Sequence, residues 1–201
     1  MNTGTAMDIH LVRHGHHGLV DRVLCGRMPG VQLDELGCDR MASTAEILNS
    51  YNPSAVQSSP QRRALQSAAI IADRCGCAVE IAPGFDEIDM GSWTGAAFAK
   101  LVSDREWQNW NERRGSARPP GGESMASLQR RVIGHLEHLN GRGDTIVIVS
   151  HAEPIRAAVM FYLGIPLDRF HSVAIDPASI STIRLDGPRR LVSCVNGKVS
   201  A

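Results

Sequence analysis

The feature that most constrains the fold is a run of five apolar or β-branched residues, Thr-Ile-Val-Ile-Val, at positions 145–149. A short continuous run of this kind is typical of a strand in the middle of a parallel sheet whose two faces are both covered. Parallel neighbours require crossover connections, which are usually helices. The run therefore predicts an α/β fold. Ser150 and His151 follow it directly, so we expect them at the carboxyl edge of the sheet.

A second apolar segment, residues 8–12, is also a predicted strand, and it ends in Arg13-His14-Gly15. In open α/β sheets, ligands bind just beyond the carboxyl ends of the strands. The sequence thus puts a cation and a nucleophilic imidazole at the position where a ligand is expected.

The rest of the chain alternates between predicted strands and helices and ends in a strand-rich segment. Further strands are predicted at residues 55–58, 78–81, 171–175, 179–185 and 191–195, and helices at residues 35–49, 60–76, 123–140 and 153–163. Ser59 is the predicted N-cap of the second helix, with Pro60 at its first position, so that Arg63 falls in the first turn. This order predicts a three-layer sandwich, a mostly parallel mixed sheet with helices on both faces. We expect one domain over residues 1–201, with residues 1–7 flexible.

Composition excludes several classes of function. The chain has 201 residues, 43% of them hydrophobic, and its 21 basic residues balance its 21 acidic residues, so no charge excess predicts binding to nucleic acid or to a membrane surface. No apolar run is long enough to span a bilayer, and the first residues do not resemble a signal peptide, so we expect a cytoplasmic protein. Five scattered cysteines indicate reduced thiols. A homodimer is left open.

The predicted strands bring a set of chemically useful side chains to one edge of the sheet. These are Arg13 and His14 from the first strand, Arg63 from a helix start, Glu87 from a loop and His151 from the apolar run. Guanidinium groups bind phosphoryl oxygens bidentately, so two arginines beside two histidines and a carboxylate indicate phosphoryl transfer. We predict no cofactor.

A metal site is the alternative from another class, because residues 14–17 (His-Gly-His-His) also form a cluster of metal-ligand types. A zinc hydrolase needs at least one more protein ligand, and Asp21 is the nearest carboxylate. We therefore predict no metal, and keep a metal-dependent hydrolase as an alternative together with a non-catalytic module that binds a phosphorylated ligand.

Five separated blocks, in order, resemble the signatures of the histidine phosphatase superfamily, which includes the cofactor-dependent phosphoglycerate mutases. The blocks are Leu-Val-Arg-His-Gly (11–15), Ser-Ser-Pro-Gln-Arg-Arg-Ala (58–64), Phe-Asp-Glu-Ile-Asp-Met-Gly-Ser-Trp (85–93), Pro-Gly-Gly-Glu-Ser (120–124) and Val-Ser-His (149–151). The resemblance implies a phosphoglycerate mutase-like fold. It also implies a phosphomonoesterase that acts on small phosphorylated metabolites and releases inorganic phosphate.

The resemblance also implies roles for individual residues. His14 would be the nucleophile that forms a phosphohistidine, and Glu87 would protonate the leaving oxygen and then activate water. Arg13, Arg63 and His151 would hold the transferring oxygens.

The chain departs from the family around the phosphate. After Arg-His-Gly the family usually has a glutamate or glutamine, then a hydroxyl residue and later an asparagine, whereas this chain has His16, His17 and Val20. We therefore expect His17, Cys25 and Gly26 to contribute contacts, with the Gly26 backbone binding phosphate.

Two other departures bear on the substrate. Ala152 and Glu153 stand where the family often has two glycines, and the charge of Glu153 disfavours a highly charged substrate. The segment between Trp93 and Gly122 is short for the cap that a mutase needs, which favours hydrolysis. Arg113 and Arg114 nevertheless resemble part of a mutase substrate segment and could bind a second anionic group, so mutase-type transfer stays open.

Overall fold

A computed structural model of the protein describes residues 6–198 and contains a six-stranded mixed sheet. The strands are β1 (Met7–Arg13), β2 (Ala55–Ser58), β3 (Val79–Ile81), β4 (Ile146–Ser150), β5 (Ile180–Asp186) and β6 (Arg189–Gly197). Their order in the sheet is β3-β2-β4-β1-β5-β6. The helices are α1 (Glu35–Asn49), α2 (Arg62–Cys75), α3 (Phe98–Leu101), α4 (Arg105–Glu112), α5 (Met125–Leu139) and α6 (Ala152–Tyr162).

The apolar run forms β4, which lies in the interior of the sheet as predicted. It pairs in parallel with β1 on one side and with β2 on the other. In this register Arg13 is the partner of Ser150, and Ser58 is the partner of Val149. The carboxyl ends of the three strands therefore meet at one edge, while β5 and β6 add an antiparallel hairpin beyond β1.

The core divides between the two faces of the sheet, as the side-chain alternation of β4 shows. Ile146 and Ile148 belong to a cluster that includes the apolar stripe of α5 and much of α6. Val147 and Val149 belong to a second cluster with α1 and α2. Because helices cover both faces, the predicted three-layer α/β architecture is confirmed.

Three local predictions need correction. Gln61, and not Ser59, occupies the N-cap position of α2, because the helix begins at Arg62. The Ser59 hydroxyl accepts from the Gln61 N–H at 3.3 Å and also contacts His151. The predicted strand at 171–175 is absent from the sheet, and a 3₁₀ helix, Leu167–Ser172, enters this segment. Residues 1–5 of the segment expected to be flexible lie outside the described residues, whereas Met7 is a buried residue of β1.

Two findings concern the environment of the chain. All five cysteines are free thiols, as predicted. Between residues 6 and 198, none of the helices combines the length and the apolar character that crossing a bilayer requires.

Candidate active site

His14 lies where β1 leaves the sheet, and its hydrogen bonds define its tautomer. Its backbone N–H donates to the Ser150 carbonyl at 2.9 Å. Its Nδ1 lies 2.8 Å from the Gly15 carbonyl, which can only accept, so Nδ1 carries the proton. Nε2 is therefore the unprotonated atom, and it accepts from Arg63 Nε at 3.3 Å. Burial, followed by the charges of Arg63 and Arg13, lowers the pKa of His14 well below its usual value.

Two arginines converge beside this imidazole. Arg63, in the first turn of α2, donates through Nη2 to the Gly26 carbonyl at 2.7 Å, and Arg13 donates through Nη1 to the Ile175 carbonyl at 2.7 Å. Among the described residues, Arg63 Nη1 and Arg13 Nε are buried donors with no acceptor. Buried donors are rarely left without a partner, so their positions fit an anion beside His14.

His151 directly follows the carboxyl end of β4 and is fully buried. Its Nδ1 accepts from Arg63 Nη2 at 3.0 Å, and its Nε2 donates to Ser59 Oγ at 2.8 Å, while that hydroxyl donates to Asp86 at 3.2 Å. Burial and the charge of Arg63 lower the pKa of His151 well below its usual value, so the ring is neutral. Its ring edge meets His14, with ring centres 5.0 Å apart.

Glu87 supplies the carboxyl group of the site. Its Oε1 accepts from the Ile88 N–H at 2.8 Å, and its Oε2 lies 3.9 Å from His151 Nδ1. Burial, together with the nearby charge of Glu153, raises the pKa of Glu87 to about 7 even though Arg63 opposes the shift. A carboxyl group with this pKa can both give and take a proton near neutral pH.

The backbone of Glu87 is fixed by an ion-pair cluster that the sequence did not reveal. Arg27 Nε and Arg131 Nη2 both donate to the Glu87 carbonyl, at 2.7 and 3.1 Å. Glu123 accepts two hydrogen bonds from Arg131, at 2.8 and 2.9 Å, and one from Arg27 at 3.1 Å. This cluster gives the block at 120–124 a structural role, which is to hold the loop that carries Glu87.

A cavity of about 130 Å³ opens onto these groups. Its lining includes Arg13, His14, His17, Val20, Asp21, Cys25, Gly26, Arg63, Glu87, Phe98 and Glu153. The ring of His17 stacks on His14 with centres 5.3 Å apart, and its Nδ1 accepts from the Leu19 N–H at 3.3 Å, so its Nε2 carries the proton. Burial and the charge of Arg63 lower the pKa of His17 to about 4, which leaves it a neutral N–H donor.

The other predicted contact residues divide into two groups. Gly26 and Cys25 lie in the cavity wall, and the Gly26 carbonyl is used by Arg63. Arg113 is exposed and lies outside the wall. Arg114 is buried behind the wall, with its guanidinium carbon 3.3 Å from the centre of the Trp110 ring and its Nη1 3.6 Å from Glu153 Oε2.

The cluster at 14–17 is not arranged as a metal centre. His14 faces Arg63, and His16 pairs with Asp34 at 2.5 Å instead of turning toward the other imidazoles. Over residues 6–198, no group of three or more histidine, cysteine or acidic side chains has positions suited to a metal ion. A larger cavity of about 650 Å³ adjoins the site through Val20 and Asp21 and contains none of the predicted catalytic residues.

The chain is similar in sequence or in fold to several known proteins. Phosphoserine phosphatase 1 of Hydrogenobacter thermophilus is 32% identical over 178 residues, which are 85% of this chain and 84% of that protein. A mycobacterial glucosyl-3-phosphoglycerate phosphatase structure superposes with a TM-score of 0.85 at 23% identity, covering 96% of this chain and 100% of that one. Phosphoserine phosphatase from Entamoeba histolytica, solved with 3-phosphoglyceric acid, gives a TM-score of 0.85 at 24% identity, covering 96% and 98%. The sequence profile of the histidine phosphatase superfamily (branch 1) matches residues 9–197, and the chain belongs to that superfamily.

Proposed function

We propose that the protein hydrolyses small phosphate monoesters through a phosphohistidine at His14, without a metal ion. The observation that carries this proposal is the unprotonated Nε2 of His14 beside two buried guanidinium nitrogens that have no acceptor among the described residues. A nucleophile and an anion-binding fork at one point are what phosphoryl transfer requires.

The reaction has two steps that use the same groups. In the first, His14 Nε2 attacks phosphorus, the bond to the ester oxygen breaks, and that oxygen takes a proton from Glu87. In the second, Glu87 takes a proton from a water molecule, which attacks the phosphohistidine and releases inorganic phosphate. Arg13 and Arg63 bind the equatorial oxygens in both steps, and His151 acts by positioning Arg63.

The relatives support the substrate class. Proteins named for phosphoserine and for glucosyl-3-phosphoglycerate are phosphatases of small organic phosphates. A related structure is described as a complex with inorganic phosphate, which is the product expected here. The cavity of about 130 Å³ suits a phosphoryl group with a small part of its alcohol.

The test is hydrolysis of 4-nitrophenyl phosphate, with a chelator present, by wild type, His14→Ala and a control. His138→Ala is the matched control because His138 is an exposed histidine of α5, outside the site. We expect His14→Ala to lose at least about 10³-fold in kcat/KM, and His138→Ala to retain the wild-type value. Wild type denatured in alkali during turnover, where a phosphohistidine is stable, should contain a phosphohistidine that His14→Ala lacks. Full activity in His14→Ala would contradict the proposal, and so would loss of the wild-type activity when the chelator is added.

A coupled phosphoglycerate mutase assay should run beside this measurement. We expect hydrolysis without transfer, and a mutase rate above the hydrolysis rate would replace hydrolysis with transfer as the principal activity.

A further inference from the structure

The charges of the cavity wall are unevenly distributed. Within the described part of the chain, the permanent cations that line the cavity are Arg13 and Arg63, and both lie at the nucleophile. The other charged groups of the wall, apart from the acid Glu87, are the carboxylates of Asp21 and Glu153. The phosphoryl group thus meets positive charge, whereas the alcohol part of an ester meets negative charge and apolar side chains.

Glu153 is held in place by groups outside the cavity. Its Oε2 lies 3.6 Å from Arg114 Nη1 and 3.4 Å from Arg156 Nη1. Both guanidinium groups stack on Phe170, at 3.8 and 4.0 Å from its ring centre, and neither arginine lines the cavity. The second oxygen, Oε1, accepts no hydrogen bond from any residue between 6 and 198. Glu153 therefore presents a fixed carboxylate with a free acceptor.

This arrangement distinguishes esters by the charge of their alcohol. A carboxylate on the alcohol would approach Glu153 and Asp21 and find no unpaired cation in the wall, which is unfavourable. An ammonium group would find a fixed acceptor whose geometry is already set by two arginines. Arg114 does not line the cavity. Its guanidinium lies over the ring of Trp110 and 3.6 Å from Glu153, and its Nε and Nη1 donate no hydrogen bond to any residue between 6 and 198.

We propose that Glu153 is a specificity residue that selects phosphate monoesters of small alcohols bearing an ammonium group near the ester oxygen. This inference rests on the proposed function, since it concerns which esters the same site hydrolyses. It also implies discrimination against small esters whose alcohol carries only a carboxylate.

The experiment compares three esters with two-carbon alcohols: phosphoethanolamine, 2-hydroxyethyl phosphate and phosphoglycolate. They present an ammonium, a hydroxyl and a carboxylate at the same distance from phosphorus. We expect kcat/KM to decrease in that order, with at least a tenfold ratio between the first and the last. Glu153→Gln should reduce this ratio to within about threefold. Glu112→Gln, which changes an exposed glutamate of α4 outside the cavity wall, should leave the ratio unchanged.

The ratio of kcat/KM values is measured on a single preparation of each variant, so a lower fraction of folded protein in Glu153→Gln does not change it. Equal values for the three esters in wild type, a preference for phosphoglycolate, or an unchanged ratio in Glu153→Gln would overturn the inference. If wild type hydrolyses neither these esters nor 4-nitrophenyl phosphate, the proposed function fails. The dissociation constants of the three esters for His14→Ala then give the same ratio without turnover and decide the role of Glu153 separately.

Discussion

Glu87 lies between groups that act on its proton in opposite directions. Burial and Glu153 favour the neutral carboxyl, while Arg63 and Arg13 favour the carboxylate. The balance puts its pKa at about 7. The first chemical step needs the protonated form, because the leaving oxygen must receive a proton, so the step should slow as the pH rises above this value.

The pH dependence of wild type and Glu87→Gln tests this role. For wild type, we expect log kcat/KM for a poor leaving group, such as 2-hydroxyethyl phosphate, to fall with rising pH and to break near pH 7, because kcat/KM reports the pKa of Glu87 in the free enzyme. Glu87→Gln should lose about 10²-fold or more in kcat with this ester and should lack the break, because an amide cannot donate a titrating proton. Asp89→Asn is a control from the same loop, as Asp89 does not line the cavity. A break near pH 7 that persists in Glu87→Gln would assign it to another group.

The shared edge of the five predicted site residues could be predicted from the sequence, because parallel strands share an edge. Four of the residues, Arg13, His14, Arg63 and His151, stand at a strand end or a helix start, and Glu87 follows the third strand in a loop. The positioning residues could not. Arg27 and Arg131 reach the Glu87 carbonyl only through tertiary contacts, and one sequence contains no signal for such contacts. The sequence predicts Ser59 only as a helix cap, and its contact with the His151 ring depends on the tertiary fold. Polar side chains compete for several local partners, and packing decides between them.

At the scale of elements, the first turn of α1 packs closely against the loop that follows His14. Gly37, in its first turn, has no side chain, and a Cβ there would lie 2.1 Å from the His16 carbonyl oxygen. The same glycine donates its N–H to the capping Asp34 at 2.8 Å. The close approach explains a glycine at a helical position where alanine is normally preferred.

A pair of glycine-to-alanine variants distinguishes the effect of this close contact on stability from the effect of helix propensity. Gly134 lies in the interior of α5, and a Cβ there would meet no atom within 4 Å. We expect Gly134→Ala to raise the free energy of unfolding by about 0.5–1 kcal/mol and Gly37→Ala to lower it by about 1–3 kcal/mol, because the helix must shift away from residue 16. Urea denaturation measures both. Stabilisation by Gly37→Ala would show that the loop moves freely.

The accuracy of the predicted helices and strands differs from one element to another. The structure has α1 and β2 at the predicted residues. The segment at 171–175 contains residues typical of a strand but lies against α6, where Arg156 donates to the Val173 carbonyl at 2.7 Å. Propensity for strand depends on the available partner strand, so tertiary context decided the outcome here.

At the scale of the whole molecule, the buried neutral imidazoles of the site make the stability of the fold depend on pH. Burial is the first cause of the lowered pKa of His14, His17 and His151. The folded state then binds fewer protons than the unfolded state below pH 6.5, so stability is lost as the pH falls through this window. Glu87 acts with the opposite sign, because its raised pKa makes the folded state bind more protons between about pH 4.5 and 7. Because three imidazoles lose proton affinity on folding and one carboxyl gains it, the folded state binds fewer protons in total over this pH range.

We therefore expect the free energy of unfolding to decrease from pH 7 to pH 5. The contribution of His17 to this decrease can be measured separately by replacing that residue. With a pKa of about 4 in the folded protein and about 6.5 in the unfolded chain, His17 accounts for about 1 kcal/mol between pH 6 and pH 5. His17→Gln cannot be protonated, so its stability should decrease by that much less over the same interval, whatever its stability at pH 7. His138→Gln, which replaces an exposed histidine, should follow wild type. Urea denaturation at the two pH values gives the differences, and a decrease in His17→Gln as large as that of wild type would mean that His17 is protonated in the folded protein.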